Sequence, residues 1–197
     1  ALWGDSESDA AREALKITLL RLRKLLGSPE AIESQQGRLS LNADLIWVDA
    51  LAFEVSADRA ATGEVTDGAV NQALTLYRGN FLAAEEDYPW AVLTRERLRR
   101  KFIQLVGAHA QMLERAGEHA AAAALYARGL DADNLIEQFY QGLMRCHAAR
   151  GQHAEGMDVY RRLRQLLSVT LGVAPAADSQ ALFATLQQRA GALSSPS

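Results

Sequence analysis

Basic side chains are the residues of this sequence whose spacing points to a definite chemistry. Lys16, Arg21, Arg23 and Lys24 fall within "KITLLRLRK", and no acidic residue occurs between Glu13 and Glu30. Cations gathered in this way bind a polyanion by releasing its condensed counterions, and they hydrogen-bond phosphates and base edges. Other candidates for chemistry are thinner. His109, His119, His147 and His153 with the lone Cys146 are the soft metal ligands. His119 and His153 hold equivalent places at expected helix starts, and Cys146 and His147 are consecutive, so on a helix they face different ways. These residues read as structural, and no metal or cofactor is expected. "EED" at Glu85–Asp87 reads as a solvated loop. The densest basic run, "RERLRRK" from Arg95 to Lys101, spreads its charges over the outer face of a helix, with Leu98 and Phe102 turned inward, and reads as a solvated face, the alternative being a grip on DNA or an acidic protein. No Gly-rich phosphate loop, nucleophile elbow or HExxH occurs, so nothing supports an enzyme.

The cations need an element to hold them, and "AREALKITLLRLRKLLG", Ala11 to Gly27, supplies a helix. At roughly 100° per residue, Ala11, Leu15, Leu19, Leu22 and Leu26 form one stripe, the expected buried face. Lys16, Arg21, Arg23 and Lys24 take the rest of the surface. Ile17 and Leu20 lie opposite the stripe; they either touch thymine methyls or meet another protein segment. Ser6 or Ser8 caps the start, while Gly27 and Pro29 close the end. Next, "AIES", "QQG" and "RLSL" read as a β-hairpin carrying Arg38, "NAD" as a turn and "LIWV" as a strand, after which Asp49 caps a new helix. A cationic helix followed by a hairpin is the layout of a winged-helix DNA reader. On its own, such a helix is also consistent with a plain solvated face.

From there the text is helical: residues 50–62, 66–78, 91–116, 119–130, 135–150, 153–171 and 179–189, joined by short loops that imply antiparallel neighbours. "RAGEHAAAAALYARGL" and "ARGQHAEGMDVYRRLR" superimpose. Gly117 and Gly151, His119 and His153, Ala120 and Ala154, and Tyr126 and Tyr160 are each 34 residues apart. That period belongs to tetratricopeptide-like helix hairpins, with an Ala-rich bundle as the competing reading. The aromatics Phe53, Tyr77, Phe81, Trp90, Phe102, Tyr126, Phe139, Tyr140, Tyr160 and Phe183 mostly fall at core spacing and read as packing.

The totals agree with a globular protein. The chain has 197 residues, 49% hydrophobic and 23% charged, with a net charge of -3, so DNA affinity would need a local basic patch. No run of about 20 apolar residues and no secretory leader is present, and the lone Cys146, with no disulfide framework, points to a reducing cytoplasm. The beginning at "ALWGD" suggests a piece of a longer protein, and "GALSSPS" reads as a natural tail.

Taken together, these residues resemble a family. "LWGDSESDAAREALKITLLRLRKLLG", a hairpin and "WVDALAFE" are similar to the second half of the OmpR-type winged helix of Streptomyces antibiotic regulatory proteins. "LYRGNFLA", "YPWAVLTRERLRR", "LIEQFYQGLMRCHAARGQHAEGMDVYRRLRQLL" and "LGVAPAADSQALFATL" resemble the bacterial transcriptional activator domain that follows it. The resemblance implies a mainly α fold: a tetratricopeptide-like α-α superhelix preceded by a partial winged helix of helix plus β-hairpin. The implied domains are residues 1–49, 50–189 and a tail, 190–197. The first keeps only the end of the preceding helix, at Leu2 and Trp3. Lys16, Thr18, Arg21, Lys24 and, on the wing, Arg38 are the implied DNA-contact residues; Leu20 stands where related winged helices often carry a base. The implied function is the C-terminal portion of a DNA-binding transcriptional activator. Its expected partners are double-stranded promoter DNA, bound through the full-length protein, RNA polymerase or another protein, and a homodimer mate, with no membrane. The alternative is a tetratricopeptide-like protein-interaction scaffold that never meets DNA.

Overall fold

The computed structural model describes residues 8–61, 67–84 and 88–193. Eight helices and one hairpin are present among them: α1 (Ser8–Leu25), β1 (Ile32–Gln35), β2 (Arg38–Leu41), α2 (Asp49–Ala61), α3 (Asp67–Leu76), α4 (Pro89–Arg115), α5 (His119–Ala132), α6 (Glu137–Ala149), α7 (His153–Leu171) and α8 (Ala177–Leu193). Two compact units divide the chain, Ala1–Leu51 and Ala52–Ser197.

In the first unit, α1 is followed by a short 3-10 turn at Pro29–Ala31, with Ser28 accepting from the Glu30 amide, and then by the hairpin. The strands pair antiparallel, Ile32 with Leu41 through Gln35 with Arg38. Gln36 and Gly37 form the two-residue loop at positive φ, 51° and 77°, the conformation that suits the twist of a hairpin. "LIWV" is not a strand. Asn42 accepts from the Asp44 amide, and its carbonyl takes the Leu45 and Ile46 amides, so a turn consumes the donors a strand would need. Asp49 is the first residue of α2, and its carboxylate accepts from the Ala50 amide.

The second unit is built of helices that pack on their sequence neighbours, α4 on α5, α5 on α6, α6 on α7 and α7 on α8, while α6 also meets α4 and α8. The 34-residue period is reproduced bond for bond. Gly117 and Gly151 end their turns at φ 82° and 72°. The Gly117 amide donates to the Glu114 carbonyl and Gly151 to Ala148, each at 3.1 Å; Glu118 donates to Leu113 and Gln152 to His147, each at 2.9 Å. His119 and His153 then open α5 and α7.

Helix pairs come close where glycine meets an aromatic ring. A Cβ on Gly142 of α6 would stand 2.3 Å from the Tyr126 ring of α5, and one on Gly129 of α5 would stand 2.3 Å from the Phe139 ring of α6. Farther along, Tyr77 stacks on Phe102 at 4.0 Å and leans on Phe53 at 5.4 Å, while Tyr160 stacks on Phe183 at 4.3 Å. Polar groups lock the same joints. Glu114 accepts from Arg145 at 2.5 and 3.0 Å and from the Tyr126 hydroxyl at 2.9 Å, tying α4, α5 and α6 together. Glu137 on α6 accepts the Ala176 amide at 2.7 Å and the hydroxyl of fully buried Ser179 at 2.6 Å; Gln141 donates to that hydroxyl too. A carboxylate of α6 therefore caps the start of α8.

Trp90 departs from the packing expected of it. It is 57% exposed and stacks on exposed Tyr88.

Two tests follow from these joints. Gly142→Ala raises helix propensity by up to about 1 kcal/mol, yet overpacking against the Tyr126 ring costs about 1–3 kcal/mol. A net fall in the urea midpoint is expected. The Glu114 carboxyl is the second test. Burial alone would raise its pKa, but hydrogen bonds from Arg145 and Tyr126 outweigh that and hold it below the ordinary 4.5. A depressed folded-state pKa gives stability that is present above the unfolded value and lost as pH falls through the folded one. Glu114→Gln is therefore expected to flatten the decline in stability below about pH 4.5, read by denaturant titration at stepped pH.

Candidate nucleic-acid interface

The helix-plus-hairpin unit is where the expected DNA contacts lie, and its local geometry can be built from α1. On a helical wheel, Arg21 and Lys24 fall opposite the Leu15–Leu19–Leu22–Leu26 stripe and Lys16 lies on its flank, about 90° from its centre; all three are exposed. Arg21 and Lys24 have no acidic partner within ion-pair distance among the described residues, whereas Lys16 meets Glu13 at 3.3 Å on an exposed surface. Such an exposed pair is worth little and yields readily to a polyanion. Thr18 is exposed, and its hydroxyl donates back to the Ala14 carbonyl at 2.8 Å, leaving the oxygen as an acceptor. Arg38 sits at the tip of the hairpin beside Gln36 and Gly37, exposed and with no ion pair among the described residues.

Arg23 does something else. Its guanidinium donates twice to the Ile32 carbonyl, at 2.5 and 3.1 Å, and so fastens β1 to α1. The sequence offered a signal for this: by its angle, Arg23 borders the leucine stripe rather than the centre of the cationic arc. Beside it, a shallow groove is lined by Glu30, Ile32, Glu33 and Asn42, with Asn42 donating to Glu33 at 3.2 Å. Two carboxylates on that flank make it unfavourable to a phosphate backbone.

The leucine stripe itself needs correcting. Leu15 and Leu19 are half-buried, while Leu22 and Leu26 remain 39% and 37% exposed, and no described residue of α1 is fully buried. Ile17 is exposed; Leu20 and Leu25, at 71% and 84%, are more so. The stripe is therefore a face with room for another packing partner. Ser6, Leu2 and Trp3 lie outside the described residues, as does the "EED" segment.

Most cations of the basic run on α4 are already engaged. Along α4, Arg97 pairs with Glu54 at 2.8 Å, Arg99 with Asp133 at 2.6 Å and Glu96 at 2.7 Å, and Lys101 with Asp58. Arg95 donates to the Phe81 and Leu82 carbonyls. Apart from exposed Arg100, the expected solvated face of this run is thus a set of links to α2, to the end of α5 and to the loop after α3.

No metal-binding cluster of three or more His, Cys, Asp or Glu exists among the described residues. His109 and Cys146 are buried, and burial pushes the Cys146 thiol up to about 11. No described helix is long and apolar enough to cross a membrane.

The Arg23 link can be checked directly. Arg23→Ala removes two charge-assisted bonds from a part-buried carbonyl and is expected to speed hydrogen exchange of the hairpin amides severalfold, leaving the exchange of α4–α7 unchanged.

Comparison with known proteins gives a consistent picture. Residues 48–187 match the family described as bacterial transcriptional activator domain. The chain is 30% identical over 195 residues to "Regulatory protein AfsR" of Streptomyces griseus, a match covering 96% of this chain and 19% of that protein. Its counterpart in Streptomyces coelicolor is 31% identical over 197 residues, with the same coverage of 96% and 19%. This sequence thus spans 19% of the length of the curated relatives it matches. Among solved structures, it is similar to Mycobacterium tuberculosis EmbR, determined in complex with a low affinity phosphopeptide. The TM-score is 0.69 at 20% identity, over 96% of this chain and 53% of that one, a likeness of fold.

Proposed function

This chain belongs to the bacterial transcriptional activator domain family, a family of transcriptional regulators, and from that premise we propose that it forms part of a DNA-binding activator. Residues 1–49 contribute part of a winged helix, residues 50–189 the helical activator domain, and 190–197 a tail. Lys16, Arg21 and Lys24 contact phosphates or base edges in the major groove, with Thr18 as a neighbouring acceptor and Arg38 on the wing. The observation that carries this reading is the pair Arg21 and Lys24: exposed, opposite the leucine stripe, and without acidic partners among the described residues. The half-covered stripe of Leu15, Leu19, Leu22 and Leu26 would be completed by further winged-helix elements of the full protein.

The helical domain supplies self-association, response to an effector, or contact with RNA polymerase. Stacked helix hairpins provide an extended surface for such partners. The protein acts in the cytoplasm, where its promoter lies. A second reading, a protein-interaction scaffold without DNA contact, draws on exposed Leu20 and Leu25. Apolar side chains there suit a protein surface as well as thymine methyls.

A salt series separates the two. In gel shifts of the full-length parent on its own promoter, Arg21→Ala with Lys24→Ala is expected to lower the slope of log K against log salt by about 2. Equal binding by the parent and the double variant at every salt concentration would reject the contact assignment.

A further inference from the structure

We infer that the cavity between the loop after α3 and helices α4 and α5 binds a small anion bearing a carboxylate or phosphate and a hydrogen-bond donor. The cavity measures about 280 Å³ and is lined by Arg78, Asn80, Phe102, Arg128 and Asp131, among others. That space is half open to solvent and suits a metabolite rather than a peptide.

Arg128 is the reason to look for an anion. Its Nη2 donates to the Leu74 carbonyl and, at 2.8 Å, to the Tyr77 carbonyl, capping the end of α3. The guanidinium carbon lies 5.3 Å from the centre of the Phe102 ring. Its Nε and Nη1 make no hydrogen bond among the described residues, and no carboxylate of those residues lies within ion-pair distance. Arg97, Arg99, Lys101 and Arg145 all have such a carboxylate. A half-buried cation with no carboxylate within ion-pair distance favours an anionic guest, to which its remaining N–H groups can donate.

Arg78 joins it from the loop, exposed and likewise without an ion pair among the described residues. Arg78 and Arg128 thus both line the cavity, and guanidinium groups pair well with carboxylates and phosphates. Asp131 lies in the same lining and forms no salt bridge with either arginine among the described residues. Its carboxylate can accept from a hydroxyl or ammonium on the guest. This site lies wholly within Ala52–Ser197, so it stands or falls independently of DNA contact by α1.

The test is an amide-resolved NMR titration of the full chain with two probes, glycerol 3-phosphate and L-lactate, against sodium chloride at matched ionic strength. One or both probes should produce saturable shifts at the Gly79 and Asn80 amides that chloride does not, and the probe that saturates identifies the anionic group preferred. Arg78 is exposed, so Arg78→Glu should keep the fold, verified by the unchanged remainder of the spectrum, and weaken that binding at least tenfold. Arg78→Lys should weaken it less. The inference is overturned if neither probe saturates at those amides, or if Arg78→Glu binds as tightly as the parent chain.

Discussion

The second unit is organised around the distance at which α5 and α6 can lie, and that distance is set by two glycines. Gly142 gives room to the ring of Tyr126, and Gly129 gives room to the ring of Phe139, so each helix receives an aromatic side chain from the other. With the backbones this near, the Tyr126 hydroxyl reaches Glu114, and Arg145 reaches the same carboxylate from α6. The ion pair follows from the packing. Removing one partner would leave a charge in a partly buried place, which is why such a network fixes a unique helix arrangement more than it adds net stability.

The periodic parts of this fold were readable in the sequence because they repeat a local pattern. Gly117, His119 and Tyr126 recur as Gly151, His153 and Tyr160, and a repeated left-handed turn followed by a helix start leaves little choice of backbone. "QG" between two alternating runs likewise specified the hairpin. "LIWV" misled because β propensity is weak beside an Asn42 turn that takes the local donors.

What periodicity could not report was partnership. A helical wheel gives the direction in which Arg21, Arg23 and Lys24 point, but not what stands there. Arg23 found a carbonyl, whereas Arg21 and Lys24 have no acidic partner among the described residues. The same gap hid the fate of "RERLRRK", whose partners Glu54, Asp58 and Asp133 come from distant positions in the sequence. It also hid the incomplete cover on Leu22 and Leu26 and the exposure of Trp90, since an apolar residue at core spacing announces only that it wants a neighbour.

Glu137 gives the helical unit a dependence of another kind. The start of α8 is held by a carboxylate that belongs to α6, through the Ala176 amide and the hydroxyl of Ser179. The last helix therefore cannot be treated as an interchangeable cassette. Grafted onto a related domain, it would carry its serine but leave its acceptor behind. Within a lineage, the two positions should change hands together or not at all.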